Sequence, residues 1–244
     1  MRNVIVTGGS RGLGLGIARR LVQSGFRVIA LARKESEEFK AAQLQLEQSH
    51  PGALHFAPFD LADIDAIPAL VKALRKQRGP IYGLVNNAGM STDGLLALTS
   101  TQQIEQVVRL NTTSPMVLTK HVVRSMMAEG CGRIVNISSI TASNGYSGLS
   151  VYAATKASLV GFTKSLAREV GRVGVTVNAV APGFVSTEMT KEMKEEDRQR
   201  IERRSALKRL VEVEDVAAAV DFLLGEGARN ITGTVMTVDA GNTA

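Results

Sequence analysis

A chain of 244 residues carries a single cysteine, Cys131, so no internal disulfide framework is available to it. Its three histidines, His50, His55 and His121, are scattered, and with that lone thiol they form no metal-ligand cluster. No apolar run approaches the ~20 residues that a bilayer span requires. The opening "MRNVIVTGG" runs straight into strand-like sequence and leaves no room for a signal or transit peptide. Repeats, low-complexity tracts and Pro/Gly-rich linkers are also missing. These absences lead to the expectation of a cytoplasmic, metal-free protein with no membrane association. Residues 1–244 are read as one domain, a length that buries a substantial core.

Positive charge is the one excess, at +6 with a pI near 9.7, and basic surfaces attract polyanions. Its distribution argues against nucleic acid. The densest stretch, "KEMKEEDRQRIERRSALKR" from Lys191 to Arg209, mixes both signs at helical spacing, and aromatics are only 4% of the chain. A solvated helix face accounts for it, while anionic small molecules remain compatible with the charge.

Short β-branched runs alternate with amphipathic stretches. "NVIVT", "FRVIALA", "ALHFAPF", "IYGLVNN", "GRIVNIS", "GVTVNAVA" and "TVMTVD" are strand candidates; Leu13 to Ser24, Ile64 to Gln77, Thr101 to Ala128, Val151 to Val170 and Val213 to Leu224 are helix candidates. This alternation predicts an α/β fold of Rossmann type: a doubly wound, seven-stranded parallel sheet with helices on both faces. Ligands of such sheets bind beyond the carboxyl ends of the strands. The polar and glycine clusters of this chain follow strands, which directs the search for function to that edge.

The first such cluster is "TGGSRGLGLG", Thr7 to Gly16. Its spacing is Gly8, three residues, Gly12, one residue, Gly14, rather than G-x-G-x-x-G. Glycines there allow a sharp turn and close approach of a pyrophosphate to a helix N-terminus, although any tight strand-to-helix turn also uses them. Gly8, Ser10, Arg11, Gly12, Leu13 and Gly14 are therefore candidate cofactor-binding residues. About 20 residues further on, where an acidic side chain usually holds an NAD ribose, stands "ALARKES". Arg33, with Arg11, suits a 2′-phosphate and favours NADPH/NADP; solvated turn residues are the plainer alternative, and Glu35 stands nearby.

Tyr152 and Lys156 in "SVYAATKAS" are four apart, on one face of a helix with Cβ atoms about 5–6 Å apart. Taken alone this is an ordinary surface or packing pair. Taken together with the glycine turn, with "NNAG" after the fourth strand, with "NISS" after the fifth, and with Ser139 thirteen residues before Tyr152, it resembles the short-chain dehydrogenase/reductase family over essentially the whole chain. Within that family it looks most like the 3-oxoacyl-(acyl carrier protein) reductase group, through "GRIVNISS", "FTKSLAREV", "VTVNAVAPGFVSTEMT" and "ITG".

The resemblance implies roles. Tyr152 is the acid/base, Lys156 its activator and ribose ligand, Ser139 the hydroxyl that orients substrate, and Asn111 in "RLNTTSP" the support of a proton-relay water. Asp60 and Leu61 would contact adenine. Asn87, Ala88 and Gly89 would lie along the cofactor, Pro182 and Gly183 beside the nicotinamide, and Val185 and Thr187 near its carboxamide. A neighbouring ammonium is expected to lower the phenol towards the working pH. The implied activity is NADPH-dependent reduction of a 3-oxoacyl thioester, carried by acyl carrier protein or CoA, to the 3-hydroxyacyl form. A reductase of another carbonyl and a non-catalytic NADP-binding regulator are the alternatives; the intact Ser139, Tyr152 and Lys156 set argues against the regulator. A homotetramer is implied as well.

Some positions depart from the family pattern. Gly16 lies early in a helix, where glycine costs up to about 1 kcal/mol against alanine, and Ala240 stands in "VDAG" where the family commonly has glycine. "MMAEGCGR" lacks the basic cluster expected of an acyl carrier protein partner, leaving Arg168, Arg172 and Arg133 as the available cations. Substrate selection is expected from Met90 to Leu96, Thr141 to Leu149 and a covering segment at about 186–211.

Overall fold

Seven runs of β-branched and aliphatic residues pair into one parallel sheet, in the order β3-β2-β1-β4-β5-β6-β7. In this computed structural model, which describes residues 1–186 and 195–244, the strands are β1 Asn3–Thr7, β2 Arg27–Ala32, β3 Leu54–Pro58, β4 Ile81–Asn86, β5 Gly132–Ile137, β6 Val175–Pro182 and β7 Val235–Val238. Every strand expected from the sequence is present. Successive side chains point to opposite faces of a strand, so a sheet covered on both sides needs apolar residues at both parities. Val4 and Val6 accordingly join one core layer, and Ile5 between them joins the other.

The first layer is closed by α1 (Gly12–Gln23), α2 (Glu37–Glu47) and α8 (Val213–Leu224), which contribute Ile17, Leu21, Phe39, Val216 and Leu223. The second is closed by α3 (Ile67–Arg78), α5 (Ser114–Glu129) and α6 (Ser150–Val170), through Ile67, Val71, Leu118, Val122, Leu166 and Val170. From β1 the chain moves outward to β2 and β3, then returns to pair β4 on the other side of β1. Loops leaving β1 and β4 therefore diverge, and a crevice opens at their carboxyl ends.

The helix expected over Thr101 to Ala128 is interrupted. It consists of α4 (Thr101–Val108), a wide π turn over Arg109–Thr113, and α5, with the Ser114 N–H donating to the Arg109 carbonyl. Pro115 is the physical reason: it has no N–H to give the Asn111 carbonyl, and its ring crowds that position, so the turn widens. Helix α2 was not anticipated. Its amphipathic pattern is weak, but Ser36 caps it by accepting from Phe39 N at 3.0 Å, and Glu37 and Glu38 occupy the first turn.

The charged stretch near residue 200 forms α7 (Glu195–Arg204), with acidic residues in its first turn and basic ones in its last, as the helix dipole favours. None of its described side chains is buried, in keeping with a solvated face. No helix among the described residues is long and apolar enough to cross a membrane, and none of their side chains groups into a metal-binding cluster.

Gly16 now has a reason. A Cβ there would stand 2.0 Å from Val213 Cγ1, because α1 and α8 cross at that point. Valine is stiff at χ1 and cannot swing aside. Gly16→Ala is expected to lose about 1–3 kcal/mol of stability in urea unfolding despite its better helix propensity, and Val213→Ala in the same chain is expected to restore part of the loss.

Candidate functional site

The expected site residues lie at the carboxyl edge of the sheet. Gly8 to Gly14 follow β1, Arg33 follows β2, Asp60 and Leu61 follow β3, Asn87 to Gly89 follow β4, Ser139 follows β5, and Pro182, Gly183 and Val185 end or follow β6. Thr187 lies outside the described residues.

In the first turn Gly8 and Gly12 take φ of +65° and +52°, a region that favours glycine. A Cβ on Gly14 would meet the Gly8 carbonyl at 2.2 Å, whereas one on Gly12 would meet nothing within 4 Å. The turn is thus closed against its own helix and open on the outer side. Helix α1 starts at Gly12, and Arg11 at its N-cap makes no side-chain cap bond, so the first-turn amides face outward as a phosphate would require. Arg11 and Arg33 are exposed, and among the described residues neither is paired with a carboxylate. Ser10 is buried and its carbonyl accepts from Ser36 Oγ, which ties the turn to the start of α2. Asp60 spends Oδ1 on Ala62 N at 2.9 Å, while Leu61 is buried in the second layer. The residues fit a nucleotide.

Thr7 was not singled out from the sequence, yet it organises the crevice. Its Oγ1 accepts from Asn87 N and Ala88 N, both at 2.9 Å, and its carbonyl accepts from Asn87 Nδ2 at 2.9 Å. A threonine ending the first strand beside an Asn-Asn-Ala-Gly turn was the available signal. Asn86, behind it, donates to Thr119 Oγ1 at 3.0 Å and Asn136 Oδ1 at 2.8 Å, and Asn136 donates to Thr163 Oγ1 at 2.8 Å, linking β4, β5, α5 and α6.

The π turn aims Asn111 inward. Its Oδ1 accepts from Met90 N at 2.9 Å, and its Nδ2 donates to Met90 O at 2.8 Å and to Thr155 Oγ1 at 3.1 Å. Thr155 in turn donates to the Tyr152 carbonyl at 2.7 Å. Lys156 is 4% exposed, and its Nζ donates to the Ile137 carbonyl at 2.8 Å. A Cβ on Gly89 would stand 3.3 Å from Asn111 Oδ1 and 3.4 Å from Lys156 Nζ, so the π turn, α6 and the loop after β4 meet there. The Ser139 hydroxyl accepts from Thr141 N at 3.2 Å and hydrogen-bonds to the Tyr152 phenol. Asn111, Ser139, Tyr152 and Lys156 are thus gathered at one pole from three separate segments.

Comparison with known proteins identifies the family. Residues 2–198 match the family model described as short chain dehydrogenase. The chain belongs to that family. It is an oxidoreductase. The 3-oxoacyl-(acyl carrier protein) reductase FabG of Vibrio cholerae is 39% identical to this dehydrogenase over 237 residues, covering 97% of this chain and 95% of that relative. Among solved structures, ElxO with NADP bound superimposes with a TM-score of 0.90 at 32% identity, covering 99% of this chain and 98% of that one. A Tyr-to-Phe variant of ElxO with NADPH bound gives the same TM-score at 31% identity, with the same coverage.

Two expectations about this dehydrogenase need correction. The phenol of Tyr152 is pushed up, chiefly by burial, and only the Ser139 hydrogen bond pulls it partly back. Lys156 does not offset this: its Nζ donates to a backbone carbonyl and stands 5.6 Å from the phenol ring centroid. Arg133 is also not available to a partner. It is buried, donates to the Gly132 and Gly174 carbonyls, and enters β5 at the end opposite Ser139. Arg168 sits near the far end of α6, and Arg172 beyond it, roughly 24 Å or more along the axis from Tyr152 at 1.5 Å per residue.

Burial lowers the Lys156 ammonium from 10.5 to about 8. Between those values the unfolded chain holds the proton and the folded chain has released it, so stability rises with pH there. The expected gain is about 3 kcal/mol between pH 7 and 11 relative to Lys156→Met, read from urea midpoints across that range. Parallel pH curves for the two proteins would show that the amine is not depressed.

Proposed function

We propose that this dehydrogenase reduces a 3-oxoacyl thioester to the 3-hydroxyacyl form with NADPH. The observation that carries the reading is the convergence of Asn111 and Lys156 beside Gly89 with Ser139 against Tyr152 on the same helix as Lys156, next to a phosphate-ready turn. When bound, NADPH supplies the hydride that reaches the carbonyl carbon. Tyr152, kept protonated by burial, gives its proton to the oxygen that becomes the alcohol, and Ser139 donates a hydrogen bond to that same oxygen. Lys156 has two further N–H donors for a ribose or phenol oxygen beyond the one given to Ile137. Asn111 holds the Met90 backbone and Thr155, which keeps the start of α6 in register with the crevice; in the same reading it would support a relay water.

Arg11 and Arg33 would select the 2′-phosphate of NADP, Asp60 and Leu61 would border adenine, and Pro182, Gly183, Val185 and Thr187 would flank the nicotinamide. The segment at about 186–211 would cover the substrate, and a tetramer belongs to the same reading. The FabG relationship supports the acyl thioester, and the ElxO structures support the cofactor.

Acetoacetyl-CoA with NADPH is expected to be turned over. Tyr152→Phe is expected to lower kcat by about 10²–10⁴-fold while NADPH still binds, as followed by fluorescence. Near-normal rates in that variant would sink the mechanism, and NADPH binding without turnover of any carbonyl would favour a regulator. Arg33→Ala is expected to raise the KM for NADPH about tenfold and leave that for NADH little changed; equal effects on both would remove the 2′-phosphate role.

A further inference from the structure

The loop after Ser139, the loop after β6 and helix α7 are far apart in sequence, yet one short turn touches all three. That turn, Asp239 to Thr243, follows β7. Asp239 closes it by accepting from Gly241 N at 2.9 Å and from Thr243 N at 2.9 Å, and Thr243 Oγ1 adds a third bond at 2.6 Å. A Cβ on Gly183, just past β6, would meet Asp239 Cα at 2.9 Å. The Ala240 carbonyl accepts from Leu207 N at 3.0 Å, and the Gly241 carbonyl from Ala206 N at 3.3 Å.

From the other side comes Tyr146, on the loop between Ser139 and α6. Its phenol donates to Asn242 Oδ1 at 3.2 Å, and its ring packs edge-on against Phe184, with centroids 5.6 Å apart. The same Asn242 turns its Nδ2 toward Ser205 Oγ at 3.2 Å and the Ile201 carbonyl at 3.4 Å, at the end of α7. Asn242 thus accepts from the loop after Ser139 and donates to the end of helix α7.

The turn is held against its own preference. Ala240 takes φ of +56°, a left-handed conformation that an L side chain rarely adopts, and the carbonyl bonds to Leu207 and Ala206 keep it there. Strain persists where surrounding contacts over-determine the backbone, and such places cluster at working sites.

We propose that Tyr146 is a positioning residue for the carbonyl substrate: clasped by Asn242, it holds the loop after Ser139 and helix α7 at a fixed separation across the catalytic pole. The role rests on the proposed reductase activity, but the clasp itself is a property of the fold. Tyr146 acts through Asn242 rather than on the reacting atoms, so its loss affects where the substrate sits and not the proton on Tyr152.

Two variants and two readouts test this. Tyr146→Phe keeps the ring on Phe184 and removes only the donor, while Asn242→Asp keeps an acceptor for Tyr146 and removes the donors to Ser205 and Ile201. Both are expected to speed amide hydrogen exchange across residues 195–204 severalfold. In Tyr146→Phe the KM for acetoacetyl-CoA is expected to rise about fivefold, with kcat within about twofold and NADPH affinity unchanged, the scale of one hydrogen bond. The double variant is expected to add little to either single one, because the two residues form one unit. Unchanged exchange over 195–204 in both variants would overturn the clasp. A lower melting temperature with unchanged KM would reduce Tyr146 to a structural residue and overturn the proposal equally. If the unaltered protein turns over no carbonyl, the reductase reading fails while the exchange measurement still decides the clasp.

Discussion

The catalytic pole depends on how β1 and β4 are joined at their carboxyl ends. The two strands pair in parallel, but the chain leaves them in opposite directions, so their loops would splay without a tie. Thr7 supplies it, taking two amide protons and one side-chain amide from the Asn87–Ala88 turn. Gly8 N binds the Leu31 carbonyl at 2.8 Å, which brings β2 into the same joint. With that seam fixed, the glycine turn and the loop carrying Gly89 face one crevice, and Asn111 and Lys156 can be set against Gly89 from the far side.

Burial has opposite consequences for the two titrating groups of the site. It raises the phenol of Tyr152, which keeps a proton available for donation, and it lowers the ammonium of Lys156. An amine in the core is costly, and the protein meets part of that cost with a backbone acceptor at Ile137. The helix holding it is anchored by Ser138, which donates to the Lys156 carbonyl at 2.9 Å, and by the Asn136 to Thr163 bond about two turns further along. Strand β5 and helix α6 are thereby tied together on the side that carries Ser139 and Tyr152.

Much of this is legible in the amino-acid order. The strands were readable because a sheet buried on both faces demands continuous apolar runs. The members of the site could be named because glycine and hydroxyl-bearing clusters followed those strands at family spacing. Other features were not visible. The π turn at Arg109–Thr113 needed the missing N–H of Pro115 to be weighed against a long amphipathic pattern, and the pattern hid it. Helix α2 carries too little periodicity to announce itself. Gly16 had no local explanation because its partner, Val213, is almost two hundred positions away. Arg133 read as an available cation because charge alone does not tell which end of a strand a residue occupies.

The amino-acid order by itself determined the sheet, its parallel sense, the family and the set of residues brought to the carboxyl edge. These follow from periodicity and from short motifs whose parts are close along the chain. Tertiary structure alone decided the direction of the Tyr152 and Lys156 titrations, the aim of Asn111, the role of Thr7, and the meeting of Tyr146 with Asn242. Each of those depends on distance and dielectric between residues remote in sequence, quantities that exist only once the layers have packed.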